Sequence, residues 1–318
     1  MNRNDRRSCG ISDGHESGRT PLSCVWGALF PLNRSAERNL NMNYVLLATD
    51  MDGTAVNDRN RMSPRTEETI HRALAQGYEV IFSTGRCPAE IRPFLKRFPD
   101  MHFAVCTNGS LVMDLRTGTP LRSVVVDPAV VEQALEAIRD MDYTAGFYLG
   151  DEFYMDESVR DRLEHYNCAC FKQLFEECAT WVESGYEVFR KEPHCVRKVN
   201  LYFHDAEEHR RAGELFAKLP MNYPSGIPMD YEICPPELSK GAGVELICEH
   251  LGISPQQCIA CGDAGNDQSM FAAAGLGVAV GNAVPELKAM ADAIVADCEH
   301  DGLAEAIETY LGKPVLKK

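Results

Sequence analysis

From residue 44 onward, short and nearly continuous apolar runs recur at 44–49, 78–82, 103–106, 258–261 and 276–280, and each gives way to a turn rich in Gly, Asp, Ser or Thr. A strand that is apolar on both faces must be covered on both faces. A chain with several of them is confined to a largely parallel sheet packed between helices. The intervening segments fit that plan. Ser63-Pro64 opens a helical stretch that reaches Gln76, and Gly77 ends it before the run at 78–82, which makes a βαβ unit. Further helices are expected at 239–251, 268–274 and 303–311, with a last short strand at 293–296. Between 123 and 236 the character changes: a helical stretch at 128–141 mixes with strands such as 199–203, and Pro, Tyr and charged residues are frequent. The predicted fold class is therefore α/β. A Rossmann-like parallel-sheet core at 43–122 and 237–312 is interrupted by an inserted α+β domain at 123–236.

A chain of 318 residues suits two domains, at about 150 residues per domain. The net charge of −15, with no Lys/Arg-rich run, argues against nucleic acid as a partner. Thirteen irregularly spaced cysteines read as reduced thiols in the cytoplasm. Cys258-x-x-Cys261 lies in a buried run, and Cys168, Cys170 and Cys178 with His165 lack a paired knuckle, so structural zinc is disfavoured. Residues 1–41 carry six arginines and four acidic residues, unlike the acidic remainder. Residues 1–42 are expected to be a disordered extension. Its apolar stretch at 22–32 is interrupted by Ser23, Gly27 and Pro31 and is too short to cross a bilayer. No later run approaches that length, so no membrane association is expected. The oligomeric state has no signal in the sequence.

The chemistry sits at the ends of the apolar runs, where open α/β sheets place their ligand sites. In Asp50-Met51-Asp52-Gly53-Thr54 the two carboxylates share a face while Met51 turns inward, and Gly53 lets the backbone leave the strand tightly. Alone, the pair could be two solvated turn aspartates. Ser83-Thr84-Gly85-Arg86 offers hydroxyls and amides to phosphate oxygens, though a helix cap would use the same residues. Lys240 follows the N-cap Ser239, at a helix start where the macrodipole disfavours a cation. An anion held there would offset this, while an exposed lysine would cost only tenths of a kcal/mol. Gly262-Asp263-Ala264-Gly265-Asn266-Asp267 adds two more carboxylates before a helix. Four aspartates at the ends of two of these strands are expected to form a hard-oxygen site suited to Mg2+.

Taken in order, DMDGT at 50–54, STGR at 83–86, SKG at 239–241 and GDAGND at 262–267 resemble the four motifs of the haloacid dehalogenase superfamily. Within it, the chain resembles Cof-type phosphatases that carry a large α+β cap of the C2 (IIB) kind. TNGS at 107–110, GLGVAVGNA at 275–283 and HDGLAEAI at 300–307 extend the likeness over nearly everything after Met42. Ala55-Val56 depart from the bulkier aliphatics common in the family and put packing in question. The resemblance implies Asp50 as nucleophile and metal ligand, Asp52 as acid/base and backbone ligand, and Asp263 as metal ligand. It implies that Thr84, Gly85, Lys240 and Asn266 bind the phosphoryl group, with Asp267 supporting the metal shell. The activity implied is Mg2+-dependent hydrolysis of small phosphorylated metabolites through an aspartyl phosphate. A sugar phosphate comes first, with phosphorylated cofactors or flavin precursors behind it. The alternatives are a phosphohexomutase and a non-catalytic phosphometabolite-binding regulator.

Gly275-x-Gly277 with Gly281 runs from helix into strand, the reverse of a dinucleotide loop, and is assigned to core packing. Arg190, Lys191, Arg197 and Lys198 are expected to form a solvated strand edge rather than an anion site.

Overall fold

The first apolar run becomes β1 (Leu46–Thr49), fully buried at the middle of an eight-stranded sheet in the computed structural model. The structure describes residues 42–236 and 238–315, so the expected N-terminal extension lies outside the described residues except for Met42. Four further strands follow: β2 (Glu79–Ser83), β3 (Phe103–Cys106), β4 (Leu111–Asp114) and β5 (Thr119–Ser123). A second sheet then uses β6 (Tyr143–Leu149), β7 (Glu152–Asp156), β8 (Thr180–Val182), β9 (Val196–Phe203) and β10 (Asp230–Ile233). The chain returns to the first sheet with β11 (Cys258–Gly262), β12 (Leu276–Ala279) and β13 (Ala293–Ile294). The order in the first sheet is β13-β12-β11-β1-β2-β3-β4-β5, parallel from β13 to β3 and antiparallel from β3 to β5.

Register decides what this sheet brings together. Thr49 of β1 lies opposite Phe82 of β2 on one side and Cys261 of β11 on the other. The residues that follow these strands, Asp50, Thr84 and Asp263, therefore emerge at one edge. Among the helices, Pro64–Ala75 starts at Ser63, whose hydroxyl accepts from the Thr66 amide at 3.0 Å. Lys240–Leu251 starts at Ser239, which accepts from the Ala242 amide at 3.2 Å. The expected elements are present, with ends shifted by a few residues: the helix expected over 128–141 stops at Ala137, and the strand expected over 199–203 begins at Val196. The β4–β5 hairpin was not expected. Its second strand, TPLRS, is largely exposed and has no apolar run to mark it.

The second sheet has the order β10-β9-β6-β7-β8, antiparallel except for β7 with β8. One face packs with the helices Pro128–Ala137 and Ala206–Phe216 around Phe147, Phe189, Leu201, Phe203 and Phe216. The other gathers Tyr148, Phe153, Met155, Phe175 and Tyr202 with Cys87 from the loop after β2. Cys258 and Cys261 are buried in β11, and Ala55 and Val56 are also buried, which answers the packing question at those two positions. No described helix is long and apolar enough to cross a membrane.

Gly241, the second residue of the helix that carries Lys240, lies directly against the main chain before Phe271: a Cβ there would stand 2.1 Å from the Ser269 carbonyl oxygen. The rigid backbone on the far side cannot yield as a side chain would. Gly241→Ala is expected to destabilise the fold by about 1–3 kcal/mol, read as a lower urea midpoint at unchanged slope. An unchanged midpoint would show that the two helices are not in close contact.

Candidate active site

β1 ends in a tight turn: the Met51 carbonyl accepts from the Thr54, Ala55 and Val56 amides, and Gly53 takes φ +72°. Met51 is fully buried, which leaves Asp50 and Asp52 facing one cavity of about 180 Å³. A Cβ on Gly53 would lie 2.5 Å from Asp263 Oδ2, so only glycine lets the β11 loop close on this turn. Thr54 completes the closure, donating its hydroxyl to Asp263 Oδ1 at 2.8 Å.

Lys240 reaches into this group and is 1% exposed. Its Nζ lies 2.8 Å from Asp50 Oδ1 and donates to Asp267 Oδ1 at 2.7 Å. The anions that offset the helix dipole are thus the protein's own carboxylates. Asp267 Oδ2 accepts from the Asp263 and Ala264 amides at 2.9 and 3.0 Å, so both of its oxygens are occupied. Among the described residues nothing donates to Oδ2 of Asp50 or of Asp263. The ligand atoms of Asp50, Asp263 and Asp267 lie within 4.8 Å of one another. Burial pushes the Asp50 carboxyl up to about 7, with the Asp267 charge adding to it and Lys240 only partly opposing. Burial, followed by Asp50 and Asp267, also holds Asp263 well above the usual carboxylate range. Burial would lower the Lys240 ammonium, but Asp267 and Asp50 outweigh it and raise it. Hard oxygen donors that resist ionising without further positive charge fit a divalent cation, which Asp50 and Asp263 would hold.

Asp52 has a different environment. Arg86, 3% exposed, grips it with both arms of its fork, Nε to Oδ2 at 2.9 Å and Nη2 to Oδ1 at 2.5 Å. Burial works to raise this carboxyl, yet the guanidinium holds it below the ordinary carboxylate range. Gly85 and Asn266 line the cavity. Thr84 is buried behind them, and its Oγ1 accepts from the Arg86 amide at 3.1 Å. All eight expected residues therefore lie in or directly behind one site.

The second sheet supplies the opposite wall, with Tyr148, Lys198, Asn200, Tyr202, Asp230 and Glu232. The expectation for Lys198 is corrected here. It is 1% exposed and donates to Glu232 Oε1 at 2.6 Å, because β9 presents it to the cavity rather than to solvent. Its neighbours differ: Arg190 and Lys191 are exposed, and Arg197 bonds the Gly150 carbonyl at 2.9 Å and Ser123 Oγ at 2.7 Å. Glu232 also accepts from the Asn108 amide, a contact between the two sheets. Thr107 and Asn108 take φ +46° and +53°, which is unusual for a β-branched residue and marks a strained turn at the cavity. Arg86, Asn108 and the residues of β9 and β10 had no assigned role in the sequence. Only the STGR and TNGS motifs hinted at them. His165, considered with cysteines, pairs instead with Asp142 at 2.6 Å.

A profile of haloacid dehalogenase-like hydrolases matches residues 47–307. The chain belongs to that family. Among its relatives, the HMP-PP phosphatase of Serratia proteamaculans is 25% identical over 86% of this chain and 97% of its own length. Phosphatase YwpJ of Bacillus subtilis is 24% identical over 84% and 99%. A haloacid dehalogenase-like hydrolase from B. subtilis superposes with a TM-score of 0.75 at 23% identity, covering 84% of this chain and all (100%) of that one. A subclass IIB sugar phosphatase superposes at 0.70 with 22% identity, covering 83% and 97%. The chain is thus a hydrolase of the phosphatase type with the fold expected from its motifs.

Because a proton on Asp50 and a cation at the same oxygens exclude one another, cation binding should weaken as pH falls through about 7. The rise in melting temperature produced by magnesium chloride is expected to be larger at pH 8 than at pH 6. An equal or reversed rise would remove Asp50 from the cation site.

Proposed function

We propose that this phosphatase hydrolyses small phosphomonoesters by transferring the phosphoryl group to Asp50, with Asp52 as acid and base. The observation that carries this reading is the placement of Lys240 between Asp50 and Asp267, with Asp263 alongside. It leaves one carboxylate oxygen of Asp50 free at the cavity floor. A magnesium ion held by Asp50, Asp263 and the Asp52 main-chain carbonyl would neutralise the repulsion between carboxylate and phosphate. Asp267 supports that shell through Lys240 and the two loop amides. Thr84, Gly85, Lys240 and Asn266 are assigned to the phosphoryl oxygens.

Asp50 attacks phosphorus in line, the bond to the leaving oxygen breaks, and Asp52 passes its proton to that oxygen. Asp52 then takes a proton from the water that attacks the aspartyl phosphate, which releases phosphate and restores Asp50. The roles are assigned by position: Asp50 is fixed at the floor by a buried lysine, whereas Asp52 faces the opening of the cavity and takes up its proton only when the Arg86 fork releases one of its oxygens. Residues 123–236 act as a cap that closes over this floor, excludes water and selects the substrate. A cavity of about 180 Å³ suits a small leaving group. Asp230 Oδ2 and the unpartnered Asn200 Oδ1 are acceptors at its wall, which supports a hydroxyl-bearing group such as a sugar. The free cysteines among the described residues and the net charge of −15 suit a cytoplasmic enzyme.

A panel of phosphate esters assayed with magnesium should show phosphate release that Asp50→Asn reduces to background. Asp52→Asn should lose about 10²–10⁴-fold. Undiminished turnover in Asp50→Asn would remove the nucleophile assignment. Turnover that requires a bisphosphorylated sugar would favour a mutase.

A further inference from the structure

Asp142, His165 and His204 form a second cluster of metal-ligating side chains, and none of the three lines the cavity. Each offers one ligand atom within 4.8 Å of the other two. Asp142 stands immediately before β6 and His204 immediately after β9, and the antiparallel pairing that sets Tyr143 opposite Phe203 brings them to the same end of the second sheet. His165 arrives there from the segment between β7 and β8. It is 23 residues from Asp142 and 39 from His204, so only tertiary packing assembles the group. The cysteine next to His165 takes no part: Cys168 is buried among aromatic rings, and its thiol bonds the Leu163 carbonyl at 3.6 Å.

The main chain holds all three residues in place. The His204 amide donates to the Asp142 carbonyl at 3.1 Å, and the Asp142 amide donates to Glu208 Oε2 at 2.8 Å. Asn167, at φ +56°, ties the segment of His165 to the end of β9 by donating to the Phe203 and His204 carbonyls at 2.8 and 3.1 Å. The side chains are set for ligation as well. His204 Nδ1 lies 2.8 Å from the His165 carbonyl oxygen. A carbonyl only accepts, so Nδ1 carries the proton and Nε2 keeps a lone pair, the arrangement by which ligating histidines are usually oriented. His165 Nε2 lies 2.6 Å from Asp142 Oδ2, and this bond holds the Asp142 carboxyl below the ordinary carboxylate range. The two imidazoles are stacked at 3.9 Å with 6° between their planes. A tilt of the exposed His204 ring is what would turn its lone pair toward the other donors.

We propose that Asp142, His165 and His204 bind a divalent transition ion of the zinc class, separate from the cation at the reaction floor. Two imidazoles with one carboxylate favour such an ion over magnesium, which prefers oxygen donors alone. The ion enters by replacing the proton between His165 Nε2 and Asp142 Oδ2. That proton passes to Nδ1 of the same ring or to solvent, and water completes the coordination. The ion would clip the segment of His165 to the ends of β6 and β9. A few residues further along, the same segment supplies Phe171, Leu174 and Phe175 to the cavity wall, so the clip would anchor one side of that wall.

The test is a calorimetric titration of the full chain with zinc chloride in the presence of excess magnesium chloride, which competes for sites made only of oxygen. The wild type is expected to bind one zinc ion that His165→Ala and His204→Ala bind at least about tenfold more weakly. Zinc held by thiols elsewhere would be common to all the proteins and cancel in the comparison. Asp142→Asn keeps the size of the side chain and an acceptor for His165 but removes the charge, and it should weaken the same zinc ion. This conservative variant carries the test should either alanine variant fail to fold. Undiminished zinc binding in the folded variants would overturn the site and leave the cluster a hydrogen-bonded clasp. Loss of the extra zinc ion from the wild type when magnesium is added would overturn the nitrogen ligation.

Discussion

The buried ammonium of Lys240 is what allows the rest of the site to exist. Asp50, Asp263 and Asp267 bring three carboxylates to within 4.8 Å of each other, Asp50 and Asp267 buried and Asp263 half-buried at the cavity. Without a cation among them, repulsion and desolvation would force protonation or drive the loops apart. Lys240 bridges Asp50 and Asp267, and Asp267 then organises the β11 loop through two main-chain amides. The lysine is therefore both a structural tie between strand ends and a reserve of positive charge at the floor of the cavity. One cation does not balance three carboxylates, and the remaining negative charge is the reason the floor of the cavity suits a divalent cation.

The two aspartates of the first turn show how environment separates chemically identical groups. Asp50 is pushed up by burial and by its acidic neighbour, whereas Asp52 is held down by the fork of Arg86. They are two residues apart in sequence and face the same cavity. Their different partners come from strands on either side of β1: the loop after β11 and the helix behind it surround Asp50, and the loop after β2 provides Arg86. The parallel register of the sheet is thus directly responsible for the difference in chemistry.

The second sheet adds a wall of mixed character. Lys198 and Glu232 neutralise one another there, Asn108 crosses from the first sheet to join them, and aromatic rings fill the spaces between. That wall is specific in shape yet modest in net charge. In the proposed reaction it would orient the leaving group, while the edge of the first sheet would hold the phosphoryl end.

The parallel core could be read from the chain alone, because each strand is an apolar run ended by a polar turn; the eight candidate site residues stood in such turns or at a helix start, and their joint role came only from the resemblance of four motifs, taken in order, to a known family. A buried strand needs its apolar residues consecutive, and a helix needs its cap beside its first turn, so these features leave a mark within a few residues. The β4–β5 hairpin escaped because β5 is an exposed edge with no apolar run. Lys198 was misjudged for a related reason. A lysine in a strand beside other basic residues has the same local pattern whether it meets solvent or Glu232, and the partner stands 34 residues away. Arg86 lay within a recognised motif, but its grip on Asp52 depends on β1 and β2 being neighbours in register. What the sequence determined was the sheet, its active edge and the identity of the charged groups delivered to it. Which charge meets which, and therefore which carboxylate is raised and which is lowered, was decided only by the tertiary structure, because Coulomb interactions depend on distances that folding sets between residues far apart in the chain.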